Sequence, residues 1–160
     1  MVGWSSFFQS SAGASATLLG LVVVAISINL SRILEYPQLP RRAATALTPL
    51  GGVLVVSLLG LVPSQPPWLF GLEALIAGAA MWISSGAMSM RPSLRHPDIP
   101  LWRFWANFLM VQAQSLPFIV AGIMLMAGNP AGGDWIVPAV IFSIVAGLTN
   151  TWVLLIEILR

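Results

Sequence analysis

An all-α, polytopic transmembrane helical bundle of five spans is the fold class this sequence predicts, and three observations carry it. First, of 160 residues 58% are hydrophobic and 8% are charged, whereas a soluble domain carries roughly 25% charged residues. So few charges cannot coat a water-facing surface, and lipid must solvate most of the chain. Second, five apolar stretches recur, each long enough for a hydrocarbon core of ~30 Å at ~1.5 Å per residue. Third, the seven basic residues are all arginine, and they gather at alternate connections.

The first span is expected over 10–34 and the second over 43–62. The third runs over 68–90, the fourth over 101–127 and the fifth over 134–159, all in one domain, 1–160. What separates them cannot lie in hydrocarbon. Glu35-Tyr36-Pro37 through Pro40-Arg41-Arg42 closes the first span. Pro63-Ser64-Gln65-Pro66-Pro67 stops the second, because proline lacks the N–H that a continuing helix needs. Arg91 to Pro100 holds Arg91, Arg95, His96 and Asp98 among prolines, and His96 reads as interfacial. Gly128 to Gly133 reads as a flexible turn, after which Asp134 suits an N-cap. Strands are not expected, since apolar and polar residues do not alternate.

Charge placement orients the bundle. Arg32, Arg41 and Arg42 lie at the first connection, Arg91, Arg95 and Arg103 at the third, and Arg160 after the fifth span. Five spans put all of them on one side, which basic residues mark as cytoplasmic; four would not. The N-terminus is then expected outside and the C-terminus in the cytoplasm. The first span has no basic n-region and outruns an ordinary h-region, so it reads as a resident helix, not a cleaved signal. Trp4, Phe7, Phe8, Trp68 and Trp135 fall at the outer boundary and Trp102 and Trp105 at the inner one, as interfacial belts do.

Small residues mark where helices approach closely, because greasy side chains gain little over lipid. Gly13, Thr17, Gly20, Val24, Ser27 and Ser31 form such a stripe on the first span. Glu73, Ala77, Ala80, Ser84 and Ala87 do so on the third, and Ser143, Gly147, Asn150, Leu154 and Glu157 on the fifth. Close packing is the expectation for all three; a pore-lining face is the alternative.

The fourth span is more polar. Arg103, Asn107, Met110, Gln114 and Pro117 share a face, with Gln112 nearly opposite. At ~1.5 Å per residue, Asn107 lies ~9 Å deep and Gln114 near the midplane. Pro117 frees a carbonyl one turn earlier. With Asn29 and Arg32 ending the first span and Asn150 and Glu157 closing the fifth, a polar cluster is expected in the cytoplasmic third: Asn29, Arg32, Arg103, Asn107, Gln114, Asn150 and Glu157. A lone charge there is costly, so Glu157 is expected to pair with Arg32 or Arg103. The cluster is either a structural latch or a vestibule for an ion or small solute. Glu73, ~7 Å inside the outer boundary, is either a first-turn acid favoured by the helix dipole and reaching water or a buried carboxyl in a proton or cation path.

Several chemistries drop out. Without cysteine there is no disulfide, thiolate metal site or thiol catalysis. A single histidine builds no multi-histidine metal site, and methionines two apart, as at Met88 and Met90 or Met124 and Met126, do not share a helix face. No phosphate loop, serine–histidine–acid set or catalytic carboxylate pair occurs. No cofactor, metal, nucleic-acid partner or enzymatic activity is expected.

The run Ser11 to Leu30, then Ile33-Leu34 and Leu39-Pro40-Arg41-Arg42-Ala43, resembles a group of small, uncharacterised bacterial multi-span membrane proteins, some labelled membrane-protease modulators. The resemblance covers Phe7 to Leu61, about a third of the chain. It implies a bacterial inner membrane and transfers no catalytic or ligand residue. The expected function is a non-enzymatic scaffold or regulatory subunit, associating with lipid, itself or other membrane proteins. A small oligomeric channel or transporter using the polar vestibule is the alternative.

Overall fold

A computed structural model describes the chain at residues 3–36, 39–95 and 101–159, with side chains described except at 88–95, 101, 103, 104 and 157–159. Its helices are α1 (Ser5–Ile28), α2 (Leu30–Glu35), α3 (Leu39–Gly60), α4 (Pro67–Arg95), α5 (Leu101–Met126) and α6 (Ile136–Leu159). A 3-10 turn, Pro130–Trp135, precedes α6. All but α2 are long and apolar enough to cross a membrane, with mean hydropathies of 1.4 to 2.0 over the spans. Among the described residues there is no strand. The chain is a multi-pass helical membrane protein.

Element ends differ from expectation in three instructive places. The first span begins at Ser5, and it breaks at Asn29, whose φ of −106° and ψ of 17° leave the helix. The Asn29 amide competes with the ladder by donating to the Ala25 carbonyl at 2.9 Å. Asp134 is not an N-cap; it lies inside the 3-10 turn, which Asn129 caps by accepting from the Ala131 N–H. Nor is the Gly128–Gly133 stretch loose. Gly132 and Gly133 are buried, and a Cβ at Gly132 would stand 2.9 Å from the Ala121 carbonyl. Only Gly128, at φ 77°, uses glycine's left-handed freedom, ending α5.

α3, α4, α5 and α6 form a closed ring in that order, and α1 packs outside it against α3. The end holding the start of α1 is called the outer end, after the orientation expected from the arginines. There Phe8, Val53, Phe70, Phe118 and Ile136 belong to one buried core that seals the ring. Phe8 is thus core and not a member of the interfacial belt. Its ring stands edge-on to Phe70, 5.5 Å between centroids, over Gly60, where a Cβ would come within 2.8 Å of it. Trp68, Trp135, Trp102 and Trp105 are exposed, as belt residues should be.

Two of the three expected packing stripes are not the faces that the protomer itself buries. On α1 the buried residues are Phe8, Ser11, Ala12, Ser15 and Val22; Gly13, Thr17, Gly20, Val24, Ser27 and Ser31 are all exposed. On α4 the buried stripe is Gly71, Ala74, Gly78, Met81 and Ser85, while Ala80 and Ala87 are exposed and Glu73, Ala77 and Ser84 half-buried. Lipid and a partner helix are both apolar, so hydropathy cannot choose between faces. The α6 stripe holds. Ser143, Gly147 and Leu154 are buried, and Gly147 lets α6 approach α3 so closely that a Cβ would meet Leu50 Cγ at 2.7 Å.

Candidate functional site

The ring is filled differently in its two halves. Toward the inner end the apolar clusters draw on α1, α2, α3 and α6: Val22, Ala46 and Leu50 in one, Ile33, Leu39, Ala43 and Leu154 in the other. No described residue of α4 or α5 joins them. Between those helices and the rest lies a polar cleft of about 250 Å³, a volume that includes its open mouth. Thr45, Ser85, Asn107, Gln114 and Asn150 line it, with Met110 and Val111 as its apolar wall.

Each polar group arrives for a local reason. Thr45 sits in α3 four residues before Pro49, which is buried inside the helix and has no N–H to give the Thr45 carbonyl. The Thr45 hydroxyl donates backward to the Arg42 carbonyl at 2.7 Å, leaving its oxygen as an acceptor only. Ser85 belongs to the α4 face that packs on α5; it is 2% exposed and its Oγ has no hydrogen-bond partner. Ser84, one residue earlier, points elsewhere and bonds back to the Ala80 carbonyl at 2.7 Å. Gln114 is also 2% exposed, and its Oε1 is buried without a partner. Its backbone carbonyl is held from α6, where Ser143 Oγ donates to it at 3.0 Å.

Of the expected cluster, Asn107, Gln114 and Asn150 come together in this cleft. Asn29 does not line it: its side chain is spent on the α1–α2 break. Arg32 is exposed on α2. The side chains of Arg103 and Glu157 lie outside the described residues, and with them the expected Glu157 ion pair; His96 and Asp98 lie outside as well. Glu73 stands apart at the outer end, half-buried and accepting a hydrogen bond from Gln65 Nε2, which ties the α3–α4 connection to α4. Gln112 faces away from the cleft and accepts from Trp82 Nε1 at 2.7 Å across the α4–α5 seam.

Sequence reasoning missed Thr45 and Ser85. For Thr45 a signal existed in the spacing Thr45 to Pro49, which deletes a helix hydrogen bond at that residue. For Ser85 none did, because Ser84 and Ser85 are equivalent until α4 is docked. Thr45, Asn107, Gln114, Asn150 and Ser85 are all uncharged, so the cleft offers hydrogen bonds and no nucleophile–base pair. Among the described residues no group of acidic or histidine side chains could hold a metal ion. No family model, curated protein or solved structure matches the chain.

Proposed function

We propose that this chain is a non-enzymatic scaffold or regulatory subunit of the bacterial inner membrane that associates laterally through α1. The observation that carries the reading is how little of α1 the fold itself uses. Only 17% of its apolar window is buried, against 33 to 44% for the other four spans. Its exposed side holds Gly13, Thr17, Gly20 and Ser27, and nothing stands within 4 Å of a Cβ built at Gly13 or Gly20. Glycine and small hydroxyl residues let a second backbone come close, which is how helices gain contact energy in lipid. Thr17 and Ser27 cap their own helix carbonyls, so that face carries no unmet polar group.

Gly20→Leu should leave the folded protomer intact and disrupt its assembly, whereas Val23→Leu, also exposed, should do neither. Crosslinking in native membranes and unfolding in detergent separate the two effects. Equal oligomer yield from both variants would remove α1 as the interface.

The inner-membrane placement draws on the resemblance and on the arginines, and it predicts the N-terminus outside and the C-terminus in the cytoplasm. Cysteine at exposed Ala131 should react with an impermeant maleimide on intact cells, and cysteine at exposed Glu35 should not. The opposite pattern inverts the orientation.

The channel or transporter reading keeps one observation in its favour, the polar cleft inside the ring. Against it, Val53, Phe118 and Met81 are at most 4% exposed in the outer core, so the cleft ends blind within one protomer.

A further inference from the structure

We propose that one ordered, neutral water occupies the polar cleft, donating to Gln114 Oε1 and Thr45 Oγ1, accepting from the Ser85 hydroxyl, and so pinning α3, α4 and α5 together. The inference rests on the ring and its cleft; it stands or falls independently of association through α1.

Size comes first. The enclosed part of the cleft takes about one water-sized molecule. A metabolite does not fit.

Hydrogen-bond arithmetic comes next. Gln114 Oε1 and Ser85 Oγ are both buried, and neither has a partner. Thr45 Oγ1 has given its hydrogen to the Arg42 carbonyl and keeps its lone pairs. Gln114 Oε1 and Thr45 Oγ1 can therefore accept and the Ser85 hydroxyl can donate, while the Asn107 and Asn150 amides add further donors and acceptors to the lining. A water supplies two hydrogens and takes one, and buried waters ordinarily hold about three such bonds.

Charge then chooses among guests of that size. Among the described residues no ionisable side chain lines the cleft. Arg41 and Arg42 stand in the first turn of α3, one turn from Thr45, while the helix dipoles largely offset one another at this end, where α3 and α5 begin and α4 and α6 finish. A dehydrated alkali cation would find no carboxylate among the described lining residues. An anion would meet the unpaired Gln114 oxygen. A small neutral guest able both to donate and to accept suits this lining.

The consequence is a division of labour in the ring. The outer half is held by apolar packing around Phe118. The inner half, where no described residue of α4 or α5 shares an apolar cluster with α3 and α6, is held by a water-bridged polar latch. Asn107 is exposed at the mouth, which gives the water a route for exchange with the inner side.

The test uses the full chain in lipid nanodiscs. With glutamine side chains labelled in 15N, solid-state NMR should show magnetisation passing from water to the Gln114 amide protons, the peak being assigned by its loss in Gln114→Met. No transfer at that position means a dry cleft and overturns the proposal. Thermal unfolding adds a sign. Gln114→Met and Ser85→Ala should each lower the midpoint, by on the order of 3 °C, and together by less than the sum, since either one strips the same water. A dry cleft predicts the reverse for Gln114→Met, because deleting an orphan acceptor leaves stability unchanged or raises it. Exchanging sodium or potassium chloride for choline chloride at fixed ionic strength should not move the wild-type midpoint. A shift specific to one alkali ion would identify a cation in the cleft and equally overturn the proposal.

Discussion

Gly122→Leu should abolish folding, and even Gly122→Ala should unfold at markedly lower temperature than the parent. Gly122 lies where α5 crosses α4, and a Cβ there would stand 2.6 Å from the Gly71 carbonyl oxygen and 2.8 Å from the Leu75 backbone nitrogen. Neither neighbour is the free end of a side chain, so two helices must move apart to admit one methyl. The seam is reciprocal: a Cβ at Gly71 would meet the Gly122 carbonyl at 2.9 Å, and one at Gly78 would meet Phe118 Cβ at the same distance. Overpacking of this kind costs ~1–3 kcal/mol in ordinary cores and more where backbone must shift. Gly86→Ala is the control, with open space at its Cβ; alanine's better helix propensity should leave it unchanged or slightly stabilised. Size-exclusion profile and unfolding midpoint in mild detergent report both. A Gly122→Ala protein as stable as Gly86→Ala would mean that the α4–α5 seam is not this close.

Phe8→Ala is expected to release the outer end of α1 from the ring. Phe8 is 1% exposed and fills the space above Gly60 against Phe70, with Trp4 and Phe7 packed on its other side. A buried phenylalanine truncated in a soluble protein costs ~3–5 kcal/mol, part of it transfer to water and part the cavity left behind. In a membrane the detached helix still lies in lipid, so the transfer part shrinks and the cavity part remains, on the order of 2 kcal/mol. Little else holds α1: beyond Phe8 on Phe70 of α4, its contacts are chiefly with α3, and only weakly with α6. Hydrogen exchange of α1 amides should therefore rise while α4 and α5 keep their protection. Uniform loss of protection across all helices would show that α1 is integral to the ring. Gly60→Ala should mimic the effect from the other side by displacing the ring of Phe8.

The candidate site was half legible. Asn107, Gln114 and Asn150 stand out because polar side chains within apolar spans are rare and must find partners, and the structure gathers these three. Asn29 has the same character but satisfies itself locally, by donating to its own helix. Thr45 and Ser85 carry hydroxyls that can bond back to their own helix, so nothing at sequence level separates a latch member from a self-satisfied serine such as Ser84.

Composition and the positions of proline and arginine determined, without reference to any fold, that this chain crosses a bilayer five times and roughly where each crossing starts. Those decisions depend on the cost of placing backbone breaks and charges in hydrocarbon, which each residue bears alone. Which face of a helix is inside depends on its neighbours, and only the tertiary structure decided that. Gly71, Gly78 and Gly122 became the α4–α5 seam and Gly147 the α6–α3 contact, while Gly13 and Gly20, small residues of the same kind, were left facing outward. In lipid both surroundings are apolar, so a small residue announces that something can come close without saying what.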